Sequence, residues 1–208
     1  SSAASDVYKR QDQDTAVIEQ TAVFDNDRQK VEVSVVKKDA ETDAVVAGAE
    51  FGLYAKEDIL AHENVIVKAD TLLGKEVTDE DGNAVFDLDL PFGKYYIREL
   101  AAPAGYVSSG GILDVTAAYQ GQDVKTAVYN SEYKNTPTTF EFTKTDITSG
   151  AELTGATLTV LDQDGNVIDT WTSDAKEAHV IKKLVVGETY TLREEFAPYG
   201  YLKATDIQ

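Results

Sequence analysis

Lys37 ends an alternating run, Val31-Glu32-Val33-Ser34-Val35-Val36-Lys37, in which strand geometry puts Val31, Val33, Val35 and Lys37 on one face. Lysine is almost never fully buried without partners. The register therefore either supplies polar company for Lys37 or leaves it at a strand end with its ammonium reaching to water. The pattern recurs in Phe140-Glu141-Phe142-Thr143-Lys144, where Phe140, Phe142 and Lys144 share a face, and the repetition favours burial. A free lysine titrates near ~10.4 and is protonated at neutral pH. Burial disfavours charge, lowering an amine's pKa and raising a carboxyl's. An amine held in an apolar interior beside an acid and an electrophile is thus equipped for nucleophilic chemistry.

Other chemistries have less to draw on. There is no cysteine, and the two histidines, His62 and His179, are far apart in sequence. Thiolate metal sites and disulfides are excluded, and a histidine metal centre or triad is poorly supported. A formal charge of -18 argues against nucleic acid and anionic membrane as partners. No apolar run is long enough to cross a bilayer, and no signal peptide opens the chain, so any export signal is expected outside it. Asp79-Glu80-Asp81-Gly82 and Asp162-Gln163-Asp164-Gly165 hint at calcium loops but lack the remaining ligands of an EF-hand. They read better as hairpin turns in which glycine takes positive φ. Trp171 is either a sugar-stacking platform or, more ordinarily, packing. No cofactor or metal is called for.

The elements that position the lysines are short alternating runs separated by turn signals, the mark of an all-β sandwich or barrel. They include residues 49–54, 83–88, 94–99 and 129–135. Residues 55–77 are harder to read, with 57–61 resembling a helical turn and 65–67 a strand. Ser1 to Gln11 resembles a reading frame of a transposase adapter used in shotgun sequencing, and is set aside as non-native. Within 12–29, Ala22, Phe24 and Asn26 share a strand face.

An internal repeat organises the rest. Lys37-Lys38-Asp39 followed by Gly48-Ala49-Glu50-Phe51 matches Lys144-Thr145-Asp146 followed by Gly155-Ala156-Thr157-Leu158, with equal spacing from lysine to glycine. Arg98-Glu99 with Pro103, Gly105 and Tyr106 matches Arg193-Glu194 with Pro198, Gly200 and Tyr201. The division expected is 12–29 as the last strand of a preceding repeat, 30–136 as a first domain, and 137–208 as a second lacking its final strand, with 136–138 as the linker.

These motifs, the lysine strand with Lys-x-Asp and Gly-Ala-x-Phe and the glutamate box with Pro-x-Gly-Tyr, resemble the Cna B-type, SpaA-like domains of Gram-positive surface proteins and pilins. The resemblance implies tandem prealbumin-like Greek-key sandwiches, first and last strands adjacent, closed by a self-formed isopeptide bond. Carried over, Lys37 is the nucleophile, Glu99 the proton-shuttling acid and Asn135 the electrophile. Alternation agrees, since Tyr95, Ile97 and Glu99 share a face, as do Tyr133 and Asn135. Asn130, the competitor, faces with Val128, Glu132 and Lys134. Glu194 is the idle equivalent of Glu99. Lys144 and Asn26 are orphans, with Lys144 expected beside an open slot lined by Phe140 and Phe142.

The function so implied is structural: a stalk repeat of a wall-attached, extracellular surface protein or pilin-like adhesin. It would not be an enzyme toward external substrates, and its partners would be neighbouring repeats. The alternative is a ligand-binding adhesin module for a host matrix protein or glycan, with the 55–77 loops as its surface.

Overall fold

A computed structural model describes residues 28–61 and 63–208. The strand that carries Lys37, β1 (Lys30–Asp39), is rich in β-branched residues suited to a pleated, half-buried surface, and Val31, Val33 and Val35 are all buried. It is central in a four-stranded sheet. On one side it pairs antiparallel with β6 (Asn83–Phe86), and on the other it runs parallel to β10 (Thr126–Pro137) over its whole length, from Lys30 opposite Thr126 to Asp39 opposite Asn135. β8 (Tyr106–Val107) completes this sheet against the end of β10. Parallel neighbours need a long crossover. Here the crossover runs largely through the second sheet, in which β5 (Leu72–Val77), β2 (Glu50–Ala55), β7 (Gly93–Ala101) and β9 (Ile112–Ala117) lie side by side in that order.

The two sheets enclose one core, including Val33, Val35, Phe51, Leu53, Phe86, Tyr95, Ile97 and Tyr133. Phe51 of one sheet meets Tyr133 of the other edge-to-face, centroids 5.3 Å apart. Residues 57–61 do not form the expected helical turn. Instead β3 (Ile59–Ala61) pairs with β4 (Asn64–Val67) as a hairpin. Burial of Ile59 in the core and the grip of the Asp58 carboxylate on the Ala69 N–H (2.8 Å) favour the extended form.

The second unit repeats the plan with fewer strands among the described residues. β11 (Thr139–Phe142) pairs with β14 (His179–Lys182) as β1 does with β6, and β12 (Thr157–Leu161) lies between β13 (Val167–Thr172) and β15 (Thr191–Phe196) as β2 lies between β5 and β7. Its core is smaller, with Val160, Ile181 and Leu184 at the centre. Asp162 to Asn166 is the hairpin turn expected, with Gly165 at φ +82°. Asp79 to Asn83 is also a tight turn, with Gly82 at φ +76°, but it passes from one sheet to the other, since β5 and β6 belong to different sheets. The residues read as a linker are held in place. Thr136 and Pro137 still belong to β10, and the buried Thr138 donates its N–H to Gly105 O (2.9 Å) and its hydroxyl to Leu184 O (2.6 Å).

Candidate functional site: a buried lysine cluster and its counterpart

Because β1 and β10 run parallel in register, the inward faces of both strands place Lys37 opposite Tyr133 and Asp39 opposite Asn135. Lys37 has no solvent exposure, and Asn135 has 1 %. The Lys37 amine donates to the carbonyl of Lys38 at 3.0 Å. Glu99 reaches the cluster from β7 in the facing sheet. One of its carboxylate oxygens accepts from Asn135 Nδ2 at 2.7 Å and the other from Ser108 Oγ at 2.6 Å. Asn135 Oδ1 is buried without a hydrogen-bond partner. Burial pushes the Lys37 pKa down, against the opposing pull of the Glu99 and Asp39 charges. Asn130, by contrast, is exposed.

Asp39 also belongs to this cluster. It is 1 % exposed and accepts from the backbone N–H groups of Glu41 (2.8 Å) and Thr42 (3.2 Å) and from the Tyr106 hydroxyl (2.9 Å). These bonds, with the ion pair to Lys183 at 3.1 Å, hold its pKa well below the carboxylate range despite burial. The signal was present in the sequence, because alternation carries the valine face through Lys37 to Asp39. The contact also explains why Lys-x-Asp and Gly-Tyr recur together. In the second unit Asp146 likewise caps a turn, accepting from the N–H groups of Thr148 (2.9 Å) and Ser149 (2.7 Å), and Tyr201 is its phenolic partner.

The counterpart lysine is placed differently. Lys144 lies beyond the end of β11, with 21 % of its side chain exposed, and its amine is 3.3 Å from Glu194 Oε1. Glu194 is 3 % exposed; one oxygen accepts from the Ala204 N–H, while Oε1 receives no hydrogen bond. A cavity of about 450 Å³ opens beside the pair, lined by Phe142, Leu158, Leu192, Tyr201 and Leu202 among others. Phe140 does not line it and is 38 % exposed, so the expected slot has only one of its two phenylalanines. Asn26 falls outside the described residues. Trp171 is packed, with His179 stacked 4.2 Å from it and Phe142 at 5.5 Å. No group of metal-ligating side chains occurs among the described residues.

The family model of the SpaA prealbumin-like fold domain matches residues 31–132 and again 138–208. The chain belongs to this family. The first match starts one residue into β1 and the second one residue before β11, so each SpaA-type unit contains one copy of the lysine and glutamate motifs. Among solved structures, the TIE protein of Bacillus anthracis is similar at 27% identity and a TM-score of 0.51, over 85% of this chain and 30% of that one. The C-terminal fragment of the pilus adhesin SpaC from Lactobacillus rhamnosus GG aligns at 20% identity, TM-score 0.47, over 84% and 78% of the two chains. The shaft pilin SpaA from the same organism aligns at 18% identity, TM-score 0.37, over 86% and 91%. No curated protein sequence matches.

Proposed function

We propose that this chain is a structural element, two SpaA-type repeats of the stalk of a Gram-positive cell-surface protein, and that the first repeat is closed by an isopeptide bond between Lys37 and Asn135. The observation that carries the reading is a lysine, a glutamate and an asparagine gathered, with Asp39 beside them, in the interior of a largely apolar sandwich. Such a trio is costly to bury for packing alone. In the reaction, the neutral Lys37 amine attacks Cγ of Asn135. Glu99 hydrogen-bonds the amide, takes the proton that the attacking nitrogen loses and delivers it to the departing nitrogen, the Cγ–Nδ2 bond breaks, and ammonia leaves. Asn135 Nδ2 already rests on Glu99, where the leaving group must be protonated. Turning the amide over would bring the unpartnered Oδ1 to the same acid. The site acts on its own chain and is spent in one turnover.

Intact-mass spectrometry tests the bond. The folded chain is expected to be lighter than its sequence by one ammonia, and Glu99→Ala to keep the full mass. A full mass in well-folded wild-type protein refutes the reading.

A second reading, an adhesin module for a matrix protein or glycan, has one feature in its favour. The β3–β4 hairpin exposes Leu60, Val65 and Ile66. Saturable binding to a matrix-protein or glycan array, lost on polar substitution of these three, would support it.

A further inference from the structure

Asp39 has a role in neither reading above, yet it joins the first unit's lysine cluster to the second unit. Lys183 follows β14 with φ +67°, and its ammonium pairs with Asp39 at 3.1 Å. The neighbouring Lys182 pairs with Glu41. The backbone of Lys183 lies so close to Gly105 that a Cβ there would be 2.6 Å from the Lys183 carbonyl oxygen. Tyr106, the next residue, has Lys37 Nζ 5.4 Å and Lys183 Nζ 5.2 Å from its ring centroid, and its hydroxyl bonds Asp39. One carboxylate and one phenol thus stand between two amines from different units.

We propose that Lys183 is a positioning residue for the first unit's lysine site: docking of the second unit sets an ammonium on Asp39 and so governs how readily Lys37 condenses with Asn135. The inference rests on the bond-forming reading of that pair, with ammonia as the product lost. Lys37 faces Glu99 from β7, Asp39 from its own strand, Tyr106 from β8 and Tyr133 from β10. Burial lowers the pKa of the amine, and the two carboxylates pull it the other way. Lys183 offsets one of them. Without its charge Asp39 acts on Lys37 unopposed, the amine's pKa rises, and less of it is neutral at neutral pH. Lys183 is half exposed, so solvent screens the effect to a fraction of a pH unit.

The test uses the full chain, produced unreacted in inclusion bodies, refolded by dilution at a series of neutral to alkaline pH values and followed by intact mass. Lys183→Gln is expected to slow ammonia loss about threefold at neutral pH and to move the rate profile about half a unit alkaline, converging with wild type at high pH. Lys183→Arg keeps the wild-type profile, and so does Lys182→Gln, which loses only the pair with Glu41. Lys183→Met supplies a second uncharged variant should the glutamine version misfold. A wild-type profile in the uncharged variants, or the same shift in Lys182→Gln, overturns the inference while leaving the bond intact. A refolded wild-type chain that keeps its full mass overturns the bond reading itself.

Discussion

Lys37 and Lys144 occupy equivalent places in two copies of one motif, and their surroundings separate them. Lys37 lies within a ten-residue strand flanked on both sides, sealed by β10, whose Tyr133 and Asn135 face inward beside it. Lys144 follows a four-residue strand paired only with β14 among the described residues, and it looks onto a cavity. The glutamate is buried in both, so the acid does not distinguish them. The parallel strand does. It supplies the amide and closes the site to solvent, the two conditions that the proposed reaction adds to a lysine and a glutamate.

The sharpest way to break this comparison is to lend the second unit the strand that the first one has. A synthetic peptide with the sequence of residues 126–137 is expected to add along the free edge of β11 and to form a denaturant-resistant adduct of peptide mass less ammonia, absent in Lys144→Arg. Failure of any adduct to form on folded protein would mean that more than the strand separates the sites. Lys37→Arg should abolish the first unit's mass deficit and lower its stability to denaturant by about 4–5 kcal/mol, treating the crosslink as closing a loop of about a hundred residues. Lys144→Arg should leave both quantities unchanged.

Glycine substitutions sharpen the contrast at a smaller scale. Gly105 and Gly200 both have left-handed backbones, at φ +80° and +88°, but only Gly105 is packed, against the Lys183 backbone. Gly200→Ala should therefore cost the backbone strain alone, about 1–2 kcal/mol. Gly105→Ala should cost more, because the contact between units must open as well. Differential scanning calorimetry of the two variants compares them directly.

The smallest effect concerns acid. Asp39 has a folded-state pKa below its unfolded value of about 3.9, so its contribution is present above that pH and lost as pH falls through the folded value. Asp39→Asn should flatten the acid limb of the stability profile, whereas Asp146→Asn, at an exposed turn, should flatten it less. Equal slopes from pH-dependent urea melts would remove the distinction.

The residues show which parts of this were legible in the sequence. Val31 to Lys37 could be read because a period of two and a buried face leave little freedom of register. The repeat gave the second unit's plan by analogy. Glu57 to Ala61 misled because a five-residue stretch has no period long enough to identify it, and tertiary burial of Ile59 decided its form. Asp39 was overlooked although its parity was plain, because a charged residue at a strand end is ordinarily solvated and only the fold brings Tyr106 and Lys183 to it. Phe140 was misjudged for the opposite reason. Its alternation is sound, but among the described residues β11 has no second neighbour to help cover it. The inter-unit contacts of Thr138 depend on residues far away in the chain, and local composition could suggest only a linker.

The direction of β10 has one more consequence. The chain enters the first sandwich at Lys30 and leaves at Pro137, at opposite ends of two adjacent parallel strands. Tension between those points slides the strands along one another and engages every rung together, whereas antiparallel neighbours pulled from the same end would peel apart rung by rung. With Lys37 and Asn135 joined as proposed, the load crosses from one strand to the other at that bond. Everything from Lys38 to Lys134 then lies off the load path, and the repeat transmits tension without lengthening.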